Sequence, residues 1–370
     1  MRYDLAIVGA GIIGLAHALA AARCGLKTVV VDRDARANGA SVRNFGLVVV
    51  TGQSAGLSRR RAERTRDIWL KLAGEASIDI LHHGKLVAAQ RPEALAVLEA
   101  FKAGPHGVDC RLLTTKETGR HQPGLDGSKV VGGLFSPHEL RVESREVLPK
   151  LAAFLRERHG VEFRPGVAVT GVEPGVLHTS QGDIRAGKSV VCPGDDLATL
   201  FPDRIAAYGT RRCKLQMLRL ADPGFRLSSA LVSDLSLLRY GGYAALPEVA
   251  ALQRRLAAER ASALANGVHL IVAQSADGSL VVGDSHHYGE TPDPFGSEAV
   301  DQLILDEFAI LFGRTPAVLA RWIGTYSSAA PEAFIDAPYP DVRLVMITSG
   351  TGASTGFAIG EETIAELFEI

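Results

Sequence analysis

The chain opens on a nearly unbroken apolar run from Tyr3 to Val8 that stops at glycines. A run that short, bounded by turn residues, predicts a strand covered on both faces. Gly9 to Gly14 make the turn, and the Ala-rich stretch from Leu15 to Cys24 predicts a helix closed by Gly25. The apolar run from Lys27 to Asp32 predicts a second parallel strand. From about Gly84 to Leu140 the pattern changes: strand-like pieces (Lys85 to Ala89, Val130 to Phe135) flank a helix near Pro92 to Phe101. An α/β alternation then returns, with a helix from Val147 to His159 and strands at Glu162 to Phe163, Val167 to Val172 and Ser189 to Val191. Arg211 to Trp322 is strand-rich, with one long helix from Glu248 to Asn266. The end is a strand from Leu344 to Thr348, a glycine loop and a helix.

This order predicts an α/β fold, α+β overall. One doubly wound, Rossmann-like domain is made from residues 1–83, 141–208 and 323–370. Residues 84–140 and 209–322 interrupt it and form a substrate-binding domain with a large mixed or antiparallel sheet. The composition suits this: of 370 residues, 46% are hydrophobic and 22% charged, enough for two cores without covalent staples. The net charge of −1 supplies no field to draw nucleic acid or anionic lipid. The basic runs Ser58-Arg59-Arg60-Arg61 and Arg211-Arg212-Cys213-Lys214 read as solvated faces. Cys24, Cys110, Cys192 and Cys213 form no CxxC pair, so reduced thiols and no zinc site are expected. The N-terminal pattern is not that of a signal peptide, and no apolar stretch is long enough for a membrane span. A soluble cytoplasmic protein without membrane or nucleic-acid partners is expected; homo-oligomerisation stays open.

The chemistry begins at Gly9-Ala10-Gly11-Ile12-Ile13-Gly14. Gly9 permits the tight turn, Gly11 lets backbone approach a pyrophosphate, and Gly14 lets the helix pack on the strand. The helix start offers free N–H groups to phosphates. Asp32, with Arg33 beside it, ends the second strand at the offset of a ribose-binding carboxylate, which disfavours NADP. At the other end, Leu344 to Phe357 runs from a strand through Gly350-Thr351-Gly352 into a helix starting near Ser354 to Gly356. A second helix start of this kind can face the electron-rich O2/N1 edge of a flavin, and the pair points to FAD rather than NAD.

On these residues the chain resembles the D-amino-acid oxidase, glycine oxidase and sarcosine oxidase family of FAD-dependent amine oxidoreductases. The resemblance covers essentially the whole chain. Beyond the two glycine loops it is carried by Ser41 through Gly46, Gly133-Leu134-Phe135-Ser136-Pro137, Gly166-Val167 through Gly171-Val172, Val191-Cys192-Pro193-Gly194 and Asp277-Gly278 through Gly283-Asp284. It implies that Val167 holds adenine through its backbone and that Ser41 and Asn44 sit at the pyrophosphate and isoalloxazine. Gly352, Ser354, Thr355 and Gly356 would line the flavin pyrimidine. Phe45, Gly46, Cys192, Gly194, Gly350 and Thr351 fall in the same motifs and complete the expected set for non-covalent FAD. Lys214 to Leu218, Arg239-Tyr240 and Asp277 to His287 are similar to family members linked with aminoalkylphosphonate breakdown.

Amine oxidation by flavin needs little acid–base machinery: hydride passes to N5 and the imine hydrolyses to a carbonyl. Specificity rests on a cation that grips the substrate's anionic end. The family commonly carries that arginine after a Trp-x-Gly, but here the run is Trp322-Ile323-Gly324-Thr325-Tyr326, so Tyr326 takes its place. No cysteine stands there for a covalent flavin link. Arg43 and Lys214, and after them Arg211 and Arg212, are the replacement candidates, with His286 and His287 able to bind a phosphonate or tune a proton. Tyr240 and Tyr243, flanking Gly241-Gly242, would cover the pocket. His82-His83 reads as loop or packing, and no spacing supports a metal site.

The expected function is FAD-dependent oxidation of a small anionic primary or secondary amine, with oxygen or another electron acceptor. The substrate expected first is 2-aminoethylphosphonate or its N-methyl derivative, giving an aldehyde. The alternatives are a glycine- or sarcosine-type amino-acid oxidase, an FAD monooxygenase suggested by Gly283-Asp284 with Pro292, and a non-catalytic FAD-binding interaction protein.

Overall fold

The computed structural model describes residues 2–370. Five parallel strands lie in the order Glu162–Pro165, Thr28–Asp32, Arg2–Val8, Ile184–Val191, Val342–Ser349. Val8 pairs with Val31 on one side and Val191 on the other, so the carboxyl ends of three strands align where the glycine turn begins. Helices Ile12–Arg23 and Gly352–Phe368 pack against each other beside this sheet. Small residues allow it: a Cβ on Gly360 would lie 2.8 Å from the Ala16 carbonyl carbon. The first helix begins at Ile12, not Leu15, which places Ile12, Ile13 and Gly14 in its first turn.

The second sheet runs Arg111–Thr114, Gly132–Val142, Ile80–Ala89, Ala230–Ser233, Ile271–Gln274, Leu280–Gly283, Arg211–Leu220. It is antiparallel except where Ile80–Ala89 meets Ala230–Ser233. The 22-residue strand Val318–Tyr339 joins the two sheets. Its first half pairs with Arg211–Leu220 and its second half with Val342–Ser349. Ser328 is paired on both sides, with Arg211 and with Ser349.

The apolar core divides accordingly. One cluster gathers Leu86, Leu134, Leu218, Leu231, Val272 and Phe308 under the second sheet, and two others cover opposite faces of the parallel sheet. Each fully buried side chain of this kind contributes about 1.5–3 kcal/mol before chain entropy is charged against it.

Two elements depart from the sequence pattern. The long helix expected over Glu248 to Asn266 is two helices, Val249–Glu259 and Ala261–Ala265. The break falls at Arg260, whose guanidinium reaches the buried carboxylate of Glu307 at 3.1 Å. Helix Leu57–Glu75 carries the first basic run, and that run is not a free solvated face. Ala62, Thr65, Ile68, Trp69 and Leu72 bury one stripe at helical spacing. Arg59 is buried and bonds Glu63 at 2.7 Å, while Arg61 pairs with Glu362 at 2.6 Å on the C-terminal helix.

Candidate active site

One cavity of about 310 Å³ lies between the glycine turns and the second sheet. Gly11 to Gly14 and Gly350 to Ser354 both line it, so two helix N-termini open on the same space. No side chain of either N-cap residue, Gly11 or Thr351, caps its helix. Both turns are shaped for close approach. A Cβ on Gly11 would lie 3.0 Å from Ser41 Oγ, and one on Gly352 would lie 3.3 Å from Ile12 Cγ2. Ser41 Oγ also accepts the Ile12 N–H at 3.0 Å, which ties the flavin-side loop to the first helix turn.

The flavin-side loop is braced from within. Asn44 Nδ2 donates to Ala40 O at 2.7 Å, and its Oδ1 accepts from Gly46 N–H at 2.7 Å and Ser144 Oγ at 2.9 Å. Gly46 has φ +68°, and a Cβ there would sit 1.9 Å from Val142 O, so only glycine fits. Ser41, Arg43, Asn44, Phe45, Cys192 and Gly194 all reach the cavity. Burial drives the Cys192 thiol well up, which keeps it protonated.

Other expected cofactor residues stand behind the wall. Gly9 makes the turn under Cys192, where a Cβ would meet Cys192 O at 2.5 Å. Asp32 accepts the Ala10 N–H at 2.6 Å and the Asp34 N–H at 2.8 Å, so its carboxylate fixes the glycine turn. Arg33 pairs with Asp196 at 2.7 Å, and the Val167 N–H donates to Asp32 O at 2.9 Å. Gly356 packs on Ile13, and Thr355 borders a separate small cavity beside Arg61.

The second sheet supplies the facing wall, and it divides the expected substrate residues. Tyr240, His286, Tyr326 and Arg43 reach the cavity. Lys214, Tyr243 and His287 do not line it. Lys214 Nζ bonds Phe295 O, His287 Nε2 lies 3.1 Å from Asn266 Oδ1, and the Tyr243 ring packs on Phe101 with centroids 4.6 Å apart. Consecutive residues of an extended segment point to opposite sides, so only one histidine of His286-His287 can face the cavity. Burial raises the Tyr326 phenol far above its ordinary range, so it is a neutral hydroxyl and no substitute for a cation.

Three wall residues carry chemistry that their sequence motifs do not announce. Arg239, after the 3-10 turn Asp234–Leu238, lines the cavity and donates to Tyr288 Oη at 3.2 Å. Burial works against its charge, but Tyr288, Tyr326 and Asp284 outweigh this and raise its proton affinity. His269 and Asp284 face each other across the hairpin of Ile271–Gln274 and Leu280–Gly283, with backbone bonds of 3.2 and 3.1 Å exchanged between them. His269 Nε2 is 3.1 Å from Asp284 Oδ1, and His286 Nε2 is 3.7 Å from Asp284 Oδ2. All three are buried, with donor atoms within 4.8 Å of one another, where no cation-binding cluster was expected. Burial, then the Arg239 charge, lowers both imidazoles, His286 to about 3 and His269 well below its ordinary value. Burial raises Asp284 to about 7 against the opposing pull of Arg239. Counting along the hairpin does not find this pair: the ladder that sets Ile271 against Gly283 would bring His269 to Ser285, and the backbone bonds shift it by one residue to Asp284. Gly283-Asp284 lies in this hairpin and does not lead into the C-terminal helix, unlike the hydroxylase motif it resembles.

Two helix starts and a tight glycine turn fit a dinucleotide cofactor, and the polar, aromatic wall opposite fits a small polar substrate: this is the build of a two-sheet flavoprotein oxidoreductase. The chain belongs to the DAO family, whose model, described as FAD dependent oxidoreductase, matches residues 4–366. Among curated proteins, it is 26% identical over 201 residues to one subunit of the opine oxidase of Rhizobium meliloti, covering 50% of this chain and 52% of that one. It is 28% identical over 238 residues to bifunctional protein ThiO/ThiG of Nostoc sp., covering 60% and 35%. The chain thus spans 35% to 62% of the length of the curated relatives it matches. In fold it is similar to glycine oxidase from Geobacillus kaustophilus, with a TM-score of 0.77, 19% identity and coverage of 100% of this chain and 95% of that one. It is also similar to L-proline dehydrogenase from P.horikoshii, with a TM-score of 0.79, 18% identity and coverage of 99% and 93%. No helix among the described residues is long and apolar enough to cross a membrane.

Proposed function

We propose that the protein oxidises a small anionic amine, with Arg239 gripping the anionic end. Arg239 carries the reading: it places a guanidinium on the cavity wall although the expected clamp position holds Tyr326. A guanidinium offers paired N–H donors that match carboxylate or phosphonate oxygens. FAD, when bound, would supply the acceptor for a hydride from the carbon bearing the neutral amine, and water would hydrolyse the resulting iminium to a carbonyl and a released amine. The residues behind this are those of the two glycine turns. Gly11 to Gly14 and the Ile12–Arg23 helix start would hold the pyrophosphate, Asp32 and Val167 the adenosine end, and Gly350 to Gly356 the flavin edge, without a covalent link. The division into a cofactor domain and a substrate domain belongs to the same reading.

The substrate we favour is 2-aminoethylphosphonate or its N-methyl derivative. Its support is the displaced arginine, which sets the anion in a place other than that of an α-amino acid, together with the similarity of Arg239-Tyr240 and Asp277 to His287 to aminophosphonate-linked enzymes. A glycine- or sarcosine-type oxidase is the second reading, favoured by the name of a structural neighbour. Anaerobic mixing of the FAD-loaded protein with 2-aminoethylphosphonate, its N-methyl derivative, glycine and sarcosine separates them. Bleaching by the aminophosphonates is expected; bleaching by glycine or sarcosine alone overturns the substrate. Reoxidation in air against a quinone then identifies the acceptor.

A further inference from the structure

We propose that Asp284, flanked by His269 and His286, is the subsite that receives the substrate's amino group, a cationic nitrogen bearing at least one N–H. The inference rests on the amine-oxidation reading and assigns the substrate end that Arg239 does not hold.

The argument is one of unmatched hydrogen-bonding capacity. His286 Nδ1 lies 2.9 Å from Gly267 O. A carbonyl only accepts, so the proton is on Nδ1 and Nε2 keeps its lone pair. That lone pair stands 3.7 Å from Asp284 Oδ2, acceptor against acceptor. Asp284 Oδ1 is buried and has no hydrogen-bond partner among the described residues, because His269 Nε2, though 3.1 Å away, is not aligned to donate. His269 Nδ1 is held by Ser236 Oγ at 2.9 Å. The rings are therefore fixed from behind and stacked on each other at 5.1 Å, while their Nε2 edges gather at the carboxylate on the cavity wall. A buried carboxylate oxygen without a donor is unfavourable unless a ligand supplies one.

The other groups near Asp284 do not meet that need. Tyr240, Cys213 and Arg239 feel its charge. Arg239 is the cation among them, yet it forms no salt bridge with Asp284 among the described residues and turns its hydrogen bond to Tyr288. One wall thus carries a guanidinium and a carboxylate that feel each other's charge without forming an ion pair. A zwitterion with its anion on Arg239 and its ammonium on Asp284 satisfies both. The N–H groups of a primary or secondary ammonium can reach Asp284 Oδ1, Oδ2 and His286 Nε2. A quaternary ammonium has no N–H and would set methyl carbons against three acceptors.

The test uses FAD-loaded protein, calorimetric binding and anaerobic flavin reduction. The ligands are 2-aminoethylphosphonate, its N,N,N-trimethyl analogue and ethylphosphonate, with glycine, glycine betaine and acetate as the parallel series. Asp284→Asn is expected to weaken the primary amine about tenfold or more, the loss of one charge-assisted contact, while the amine-free anion changes by less than about twofold. His286→Gln should weaken the same ligand by a smaller factor. In the wild-type protein the trimethyl compound should bind no tighter than the amine-free anion; this comparison needs no variant and stands if Asp284→Asn fails to fold. Equal binding of the primary amine by wild type and Asp284→Asn, or equal binding of primary and quaternary amines by wild type, overturns the inference. So does one equivalent of a divalent metal in the wild type that Asp284→Asn lacks. If no amine bleaches the flavin, the oxidation reading itself fails; if amines bleach it and the Asp284→Asn affinity is unchanged, only the subsite assignment fails.

Discussion

On the proposed reading, Arg239 supplies the cation that the family motif leads one to expect at Tyr326. Tyr326 occupies the sequence position where a cation was expected and stays neutral through burial, while the cation arrives from the turn after Leu238. Arg239→Ala should raise KM far more than it lowers kcat, reducing kcat/KM about 30- to 100-fold, as befits one charge-assisted bond of roughly 2–3 kcal/mol. Arg239→Lys should recover part of this, because a point charge replaces a planar fork. Steady-state kinetics against the best flavin-reducing amine checks both. The glycines and Asp32 were legible because their demands are local: a turn, a close approach, a strand end. Arg239 and His269 were not. A lone Arg or His becomes a site residue only through neighbours about fifteen to fifty positions away in sequence, which no local spacing reports.

At the scale of elements, helix Leu57–Glu75 has a second role besides covering the sheet. Trp69 is buried, its Nε1–H donates to Ala353 O at 2.8 Å, and its ring meets Phe357 edge-on at 4.9 Å. It therefore pins the first turn of the C-terminal helix at the cavity rim. Trp69→Phe keeps most of the apolar volume but frees that carbonyl; it should cost about 1–2 kcal/mol and loosen FAD, read as faster flavin loss on dilution. Gly46→Ala should be worse, because its Cβ would collide with Val142 O at 1.9 Å while the backbone is held at φ +68°. A loss of about 2 kcal/mol or more is expected from chemical denaturation. This helix escaped the sequence pattern because its polar face is an arginine run, which hides the stripe from Ala62 to Leu72. The strands expected at Tyr3 to Val8, Lys27 to Asp32 and Leu344 to Thr348 were legible to within two residues, whereas Lys85 to Ala89, Val130 to Phe135 and Ser189 to Val191 caught only part of longer strands. The strand Val318–Tyr339 was not, since its two halves belong to different sheets and share no single pattern.

The whole molecule also carries buried histidines that do not line the cavity, and these make it sensitive to acid. Burial lowers His17 to about 4, and burial with the nearby Arg141 charge lowers His82 to about 4. A group whose folded value lies below its unfolded one binds more protons when unfolded, so stability falls as pH drops from about 6.5 toward 4 and levels off below. Asp284, raised to about 7, acts in the opposite direction over an overlapping range. Unfolding free energy measured across this window should decline toward acid. His17→Leu should remove one proton's worth of slope, about 1.4 kcal/mol per pH unit.

The strand Val318–Tyr339 also sets how the molecule can move. Because Ser328 is bonded to Arg211 on one side and Ser349 on the other, swinging the two sheets apart would shear a ladder at its joint. Thr325, Tyr326 and Ser327, which line the cavity, sit immediately before that joint. On the proposed reading, entry and exit of a small amine would then be left to side chains and loops at the cavity mouth, and one continuous length of backbone would fix the spacing between the flavin side and the wall of the second sheet.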